Sequence, residues 1–180
     1  MDALLPQTYL IGLIVLLGIA AAAVGRQVWR VRADEVALAR LERQGSGQPC
    51  DAATLYELGS VQLRKRLYGQ AAESLKQALK RAEAAKEPAE AQAVIENALG
   101  FALAAQNNFK SAIRHYRLAL AAKPAYPVAL NNLAYALEKQ LKLEEAKQTY
   151  EQVMALDAGN KTARKRLKML ARKAGLDQVS

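Results

Sequence analysis

Leu99-Gly100-Phe101-Ala102-Leu103-Ala104-Ala105-Gln106-Asn107-Asn108-Phe109-Lys110-Ser111-Ala112-Ile113-Arg114-His115-Tyr116-Arg117-Leu118-Ala119 joins two helix-forming runs, and its small residues stand at fixed intervals. Gly100 is followed twelve residues later by Ala112, four further on by Tyr116, and then by Ala119. The same spacing occurs at Leu58-Gly59 with Ala71, Leu75 and Ala78, and at Leu133-Ala134 with Ala146, Tyr150 and Val153. Two antiparallel helices that touch where Gly or Ala lets their backbones approach, with a large side chain filling the groove beside the contact, account for this pattern. A stretch that recurs in this way is a structural repeat, and repeats stack.

Gly100 to Ala134 is 34 residues, the length of the tetratricopeptide repeat, whose consensus the spacing resembles. Gly59 to Gly100 is 41, so one join carries 7 extra residues, about two helical turns. Pro124 ends the second repeat, and Asp157-Ala158-Gly159-Asn160 ends the third with turn chemistry. At the matching place in the first repeat stands Glu83, inside the strong helix formers Lys80-Arg81-Ala82-Glu83-Ala84-Ala85-Lys86, which predicts that the extra residues are helix. Gln62 and Glu96 occupy places where large apolar residues are usual. Arrays of this kind hold other proteins and seldom catalyse.

The chain of 180 residues is rich in Ala, Leu, Lys, Arg, Glu and Gln and carries no alternating strand pattern, so it is expected to be all-α. Cys50 is the single cysteine, without a partner for a disulfide or the neighbours of a metal site, and reads as a free thiol in a linker. All 26 Lys and Arg residues follow Gly25. Residues 3–25 contain no charge and include Leu10, Ile11, Leu13, Ile14, Val15, Leu16, Leu17, Ile19 and Val24. As a helix these residues would extend about 34 Å, enough for a bilayer core. Ala20-Ala21-Ala22 offers a signal-cleavage site, but the basic leading segment of a signal peptide is missing, since only the terminal amine beside Asp2 is positive. Arg26, Arg30 and Arg32 follow at once, so the positive-inside rule places the remainder on the cytoplasmic side or its plastid equivalent, with Trp29 near the headgroups.

The expected organisation is therefore a transmembrane helix at 3–25, a juxtamembrane helix and linker at 26–50, and three repeats at 51–158 (about 52–86, 89–124 and 127–158). Gln44-Gly45-Ser46-Gly47-Gln48-Pro49 forms the linker and Asp51 the first N-cap. A capping helix follows at 160–174, with Ala163, Leu167, Leu170 and Ala174 on its apolar face. Its opposite face carries Lys161, Arg164, Lys165, Lys168 and Arg172, charges that keep a cap soluble or meet anionic lipid headgroups or an acidic partner loop.

Enzyme signatures are absent: there is no phosphate loop or nucleophile elbow, and the single histidine, His115, reads as a surface or partly buried structural residue. No cofactor, metal or small-molecule substrate is expected. The first helix of each repeat lines the concave groove, which makes Tyr56 and Ser60, Asn97 and Phe101, and Asn131 and Tyr135 the candidate protein-binding residues. Asparagine amides suit the backbone of an extended peptide, and aromatic rings suit its side chains. The Lys-rich set that clamps a chaperone's C-terminal carboxylate is missing. A pI of about 9.7 raises nucleic acid as a partner, but the basic residues are spread along helices and the aromatics occupy repeat positions, so no stacking platform is expected.

The N-terminal Leu5-Pro6-Gln7-Thr8-Tyr9-Leu10, the exit Gly25-Arg26-Gln27, Tyr56-Glu57-Leu58-Gly59 with Leu63-Arg64-Lys65-Arg66-Leu67, and Asn97-Ala98-Leu99-Gly100-Phe101-Ala102 together resemble the photosystem I assembly proteins of cyanobacteria and plastids. That family combines one N-terminal membrane helix with three tetratricopeptide repeats. The resemblance implies a non-enzymatic, single-pass thylakoid protein whose repeats face the cytoplasm or stroma and hold photosystem I subunits or assembly intermediates. An adaptor for a translocation or cytochrome-maturation complex would share the same architecture.

Overall fold

The computed structural model describes residues 4–45 and 50–177, and among them there are eight helices and no strand. The chain divides into two units. The first is a single unbroken helix, α1 (Leu4–Gly45), which takes in Gln44 and Gly45 from the expected linker. Linker residues 46–49, Asp2 and Ala3 lie outside the described residues. Within α1 the apolar run has its side chains exposed from Tyr9 through Trp29, and Tyr9–Leu41 contains a window of mean hydropathy 2.1, long and apolar enough to cross a membrane.

The second unit stacks three helical hairpins and a closing helix: α2 (Ala52–Arg64) with α3 (Tyr68–Ala84), α4 (Ala89–Ala105) with α5 (Phe109–Ala122), α6 (Pro127–Lys139) with α7 (Leu143–Leu156), and then α8 (Lys161–Asp177). Asp51 caps α2 by accepting a 2.8 Å hydrogen bond from the Thr54 amide, and Asn108 accepts from the Ser111 amide to cap α5. Hydrogen bonding from Thr54, by its side-chain hydroxyl first and its amide second, holds the Asp51 carboxyl below its ordinary range.

The small residues stand where the helices cross. A Cβ built on Gly59 would lie 2.7 Å from Cγ of Leu75, and one on Gly100 would lie 2.6 Å from Cε1 of Tyr116. Leu75, Tyr116 and Tyr150 are almost completely buried, as the plugging role requires. One core cluster joins the first repeat to α4 through Leu55, Leu75, Ile95 and Leu99. Another joins the second and third repeats to α8 through Tyr116, Leu133, Leu137, Tyr150 and Leu170, and Leu103 packs against both.

The seven additional residues of the first join are helix, and they are shared. α3 has 17 residues where α5 and α7 have 14, and α4 has 17 where α2 and α6 have 13. Lacking a proline stop, α3 ends differently from the other second helices: Lys86 turns left-handed at φ 51° and the Glu87 amide bonds back to the Ala82 carbonyl at 2.9 Å. This is the 6→1 bond of a Schellman turn, made without glycine. The first helices end in the same way at Arg66, Asn107 and Leu141, all with positive φ.

The first helices of neighbouring repeats also touch, α2 with α4 and α4 with α6, whereas the second helices make no comparable contact with one another. The first helices therefore line the inner, concave side of the array, and α3, α5 and α7 form its outer side. α8 packs on α7 and buries Ala163 and Leu170, with Leu167 half-buried. The side chain of Ala174, assigned to the same face, lies outside the described residues.

Candidate functional site: an aromatic recess in the concave groove

Two of the six candidate groove residues meet. Phe101 on α4 and Tyr135 on α6 line a recess of about 310 Å³ together with Phe109, Tyr116, Asn132 and Lys139. Phe101 is 44% exposed although the neighbouring Leu99 and Ala102 are buried, so its ring is offered to solvent by the repeat register itself. Two cations approach the Tyr135 ring, with Lys139 Nζ 5.4 Å and the Arg166 guanidinium 5.1 Å from its centre. Arg166 comes from α8 and also approaches Glu138 at 3.7 Å, so the closing helix contributes to the groove as well as covering the core.

Asn97 is engaged within the fold. Its side-chain oxygen accepts from the Asn132 amide at 3.0 Å, and its nitrogen donates to the Tyr126 hydroxyl at 3.4 Å. The chain of Asn132, Asn97 and Tyr126 fixes the groove floor across two repeats and leaves Asn97 one N–H for a ligand. Asn131 is different: its Oδ1 is buried with no hydrogen-bond partner among the described residues. A buried acceptor left in that state is costly, and with almost no accessible surface this oxygen is out of reach of a ligand in the present side-chain arrangement. Tyr56 packs partly against the first core cluster, and Ser60 is half-buried and outside the aromatic recess. The residues missed by sequence reading are Asn132, one position from Asn131, and Lys139 and Arg166, whose cationic groups come to the Tyr135 ring from α6 and α8.

Beneath the groove, burial pushes the Tyr116 hydroxyl well above its ordinary range. Tyr150 is raised in the same direction, by burial first and then by its 2.9 Å hydrogen bond to the Glu138 carboxylate, to which it donates. Both phenols therefore remain neutral. Tyr126 is raised by burial and by neighbouring Tyr56, against the bond from Asn97.

His115 is buried, not at the surface, because Glu96 provides a partner there: Nδ1 and Oε2 are 2.6 Å apart. Arg114 Nη2 approaches Nε2 of the same ring at 3.5 Å, and because a guanidinium only donates, the ring proton belongs on Nδ1, facing the carboxylate. The pair has no access to the groove recess and makes no catalytic constellation. Gln62, the other polar residue in an apolar place, accepts from the Ser74 hydroxyl at 2.8 Å. Among the described residues no group of His, Cys, Asp or Glu is placed to hold a metal.

On α8, Lys161, Arg164, Lys165, Lys168 and Arg172 gather with Met169 around a shallow recess of about 360 Å³. Arg164 is partly occupied, donating to the Ala158 carbonyl at 2.7 Å.

Comparison with known proteins agrees with this geometry. A tetratricopeptide repeat family model matches residues 52–84 and 127–160, the first and third hairpins. The chain is 33% identical over 159 residues to the chloroplastic tetratricopeptide repeat domain-containing protein PYG7 of Arabidopsis thaliana, covering 88% of this chain and 52% of that protein. It thus spans about half the length of that relative. It is 31% identical over 170 residues to the protein ycf37 of Guillardia theta, covering 94% of each. Among solved structures, MamA superimposes with a TM-score of 0.73 at 21% identity, covering 82% of each chain. The first repeat domain of RPAP3, bound to an HSP90 peptide in its own structure, superimposes with a TM-score of 0.63 at 24% identity, covering 69% of this chain and 93% of that one. At these identities the solved structures establish the fold alone. Near-complete coverage at 31% identity, on the repeat architecture described above, establishes that the chain belongs to the ycf37 family of tetratricopeptide repeat proteins, the photosystem I assembly family that its sequence resembles.

Proposed function

We propose that the protein is a membrane-anchored scaffold that holds photosystem I subunits or assembly intermediates at the cytoplasmic or stromal face of the thylakoid. The observation that carries this reading is the aromatic recess of Phe101 and Tyr135, open on the concave side of an array whose relatives include a chloroplastic protein. The recess receives a side chain of an extended segment, and the remaining N–H of Asn97 serves the segment's backbone, with Asn131 beside it on α6. Ser60 and Tyr56 continue the same groove towards the first repeat.

α1 is the anchor, the uncharged sequence run 3–25 crosses the membrane, and Arg26 and Arg32 lie on the cytoplasmic side. Tethering confines the array to a thin layer beside the bilayer and raises its effective concentration for membrane-bound partners. Weak groove contacts then suffice, and the partner leaves readily once assembly proceeds. The basic face of α8 adds anionic contacts at lipid headgroups or at an acidic loop of the held complex.

Affinity purification of the tagged full chain from gently solubilised thylakoids tests the reading. Photosystem I subunits should be recovered with the parent, and recovery should fall when Phe101→Ala and Tyr135→Ala are combined. Consistent recovery of a different complex, such as one for translocation or cytochrome maturation, would replace it.

A further inference from the structure

A second recess, larger than the aromatic one, lies on the outer side of the array. Its wall is α5, through Lys110, Ile113, Arg114, Arg117 and Leu118, and its rim is the turn between α6 and α7, through Gln140 and Lys142. The recess is open to solvent, with a volume of about 480 Å³. Four cationic side chains surround an aliphatic floor, and one carboxylate, that of Glu145, answers them: it lies 2.8 Å from Arg117 and 3.3 Å from Lys142. Among the described residues no carboxylate lies within ion-pair distance of Lys110 or Arg114.

Two aliphatic side chains beside these cations are exposed without a packing role. Leu118 is 46% exposed, and Leu141, between the two rim residues, is 82% exposed in a left-handed conformation at φ 58°. The left-handed conformation recurs at Arg66, Lys86 and Asn107 and belongs to the turn; what sets this corner apart is that a large aliphatic side chain stands there in water, near exposed Leu118 and the cations of the recess.

We propose that this outer face, at the junction of the second and third repeats, docks an acidic amphipathic segment of a partner protein. An aliphatic side chain of that segment rests on Ile113 and Leu118, and its carboxylates meet Lys110 and Arg114. The charge excess selects an anionic occupant, and the concave, aliphatic floor selects a protein segment over a lipid surface, which presents headgroups in a plane. Among the described residues no aromatic side chain lines the recess, which offers no stacking platform of the kind a nucleic-acid strand uses. The surface is made by α5 and the α6–α7 turn on the side away from the concave groove, so the inference does not depend on what the groove holds.

The test uses the purified full chain in neutral detergent and an immobilised array of synthetic peptides that place Leu or Ile among Asp and Glu at helical spacing. A matched array carries Lys in place of the acids. The parent should prefer the acidic set, and the preference should weaken with added salt. Lys110→Glu combined with Arg114→Glu should lower retention of acidic peptides about tenfold and turn preference towards the Lys-bearing set. Lys80→Glu, on α3 and away from both recesses, should leave retention as in the parent. Lys110→Gln with Arg114→Gln serves as the second variant if charge reversal alters the thermal melt. No preference for acidic peptides, equal retention by the charge variants, or an equal loss of retention through Lys80→Glu would each overturn the proposal. So would loss of binding to phosphatidylglycerol-containing vesicles by the charge variants while peptide retention stays unchanged, since the surface would then be a lipid contact.

Discussion

Glu96 and His115 pose the sharpest question at the residue scale, because each is more than nine-tenths buried and each is the other's partner. Removing one side of such a pair strands the other in a low-dielectric core, whereas replacing both with apolar groups removes the demand altogether. His115→Ala should therefore lower stability by about 3 kcal/mol, and Glu96→Leu with His115→Leu should recover most of that loss, as read from urea unfolding of the full chain in detergent. Equal losses from the single and double variants would mean that the contact does not govern the site. The glycines make a second comparison. Ala at Gly100 meets the edge of the buried Tyr116 ring, which cannot fold aside, whereas Ala at Gly59 meets the branched end of Leu75. Gly100→Ala should cost about 1–3 kcal/mol and Gly59→Ala clearly less, because its smaller clash is set against the gain in helix propensity. The helix crossings were legible because Gly and Ala recurring at a fixed spacing, each followed by a large residue, is what close backbone contact between paired helices demands. Glu96 was visible as an anomaly, but its partner was not, although a signal existed: Ser74, His115 and Thr149 stand at equivalent places in the three repeats. Each is buried and each is satisfied, Thr149 by donating to the Glu145 carbonyl at 2.7 Å.

Among the elements, α8 joins two roles that its sequence pattern separated. Its apolar stripe was readable as a cover for the exposed end of the array, and its charges as an outward face. That Arg166 instead reaches inward to Tyr135 and Glu138 follows from the angle at which α8 crosses α7, which periodicity does not encode. Leu170 is 6% exposed within the second core cluster, so Leu170→Ala should cost about 2 kcal/mol and speed amide exchange along α8 before the rest of the array, while Lys168→Ala should change neither by a measurable amount. Uniform loss of protection through all the repeats would show that α8 is part of one cooperative core and not a cover. The α6–α7 turn offers the reverse effect. Leu141→Gly relieves the left-handed conformation and should leave the fold equally or slightly more stable by thermal melting. The helical nature of the seven extra residues was legible from the missing stop. Their division between α3 and α4 was not, because it depends on Pro88 holding the start of α4 and on Lys86 accepting a conformation that side chains resist.

For the whole molecule, the question is which side of a membrane carries the repeats. The sequence has no charge from Ala3 to Gly25, and every Lys and Arg lies beyond that run, so inserting the helix the other way would carry the entire basic array across the bilayer. Positive residues within about 15–20 residues of a span bias it toward keeping them on the cytoplasmic side, and Arg26, Arg30 and Arg32 lie within that distance, which is the basis of the proposed topology. Protease added to the cytoplasmic side of sealed thylakoids should remove the repeats and leave a small protected fragment containing the uncharged N-terminal part of α1. Alkaline carbonate should leave the intact chain in the membrane, since a helix that crosses the bilayer is not displaced by loss of charge. Full protection of the repeats would invert the topology and place the groove on the lumenal side. Release of the whole chain by carbonate would mean that α1 only rests on the surface, and tethering would then no longer explain how weak groove contacts suffice.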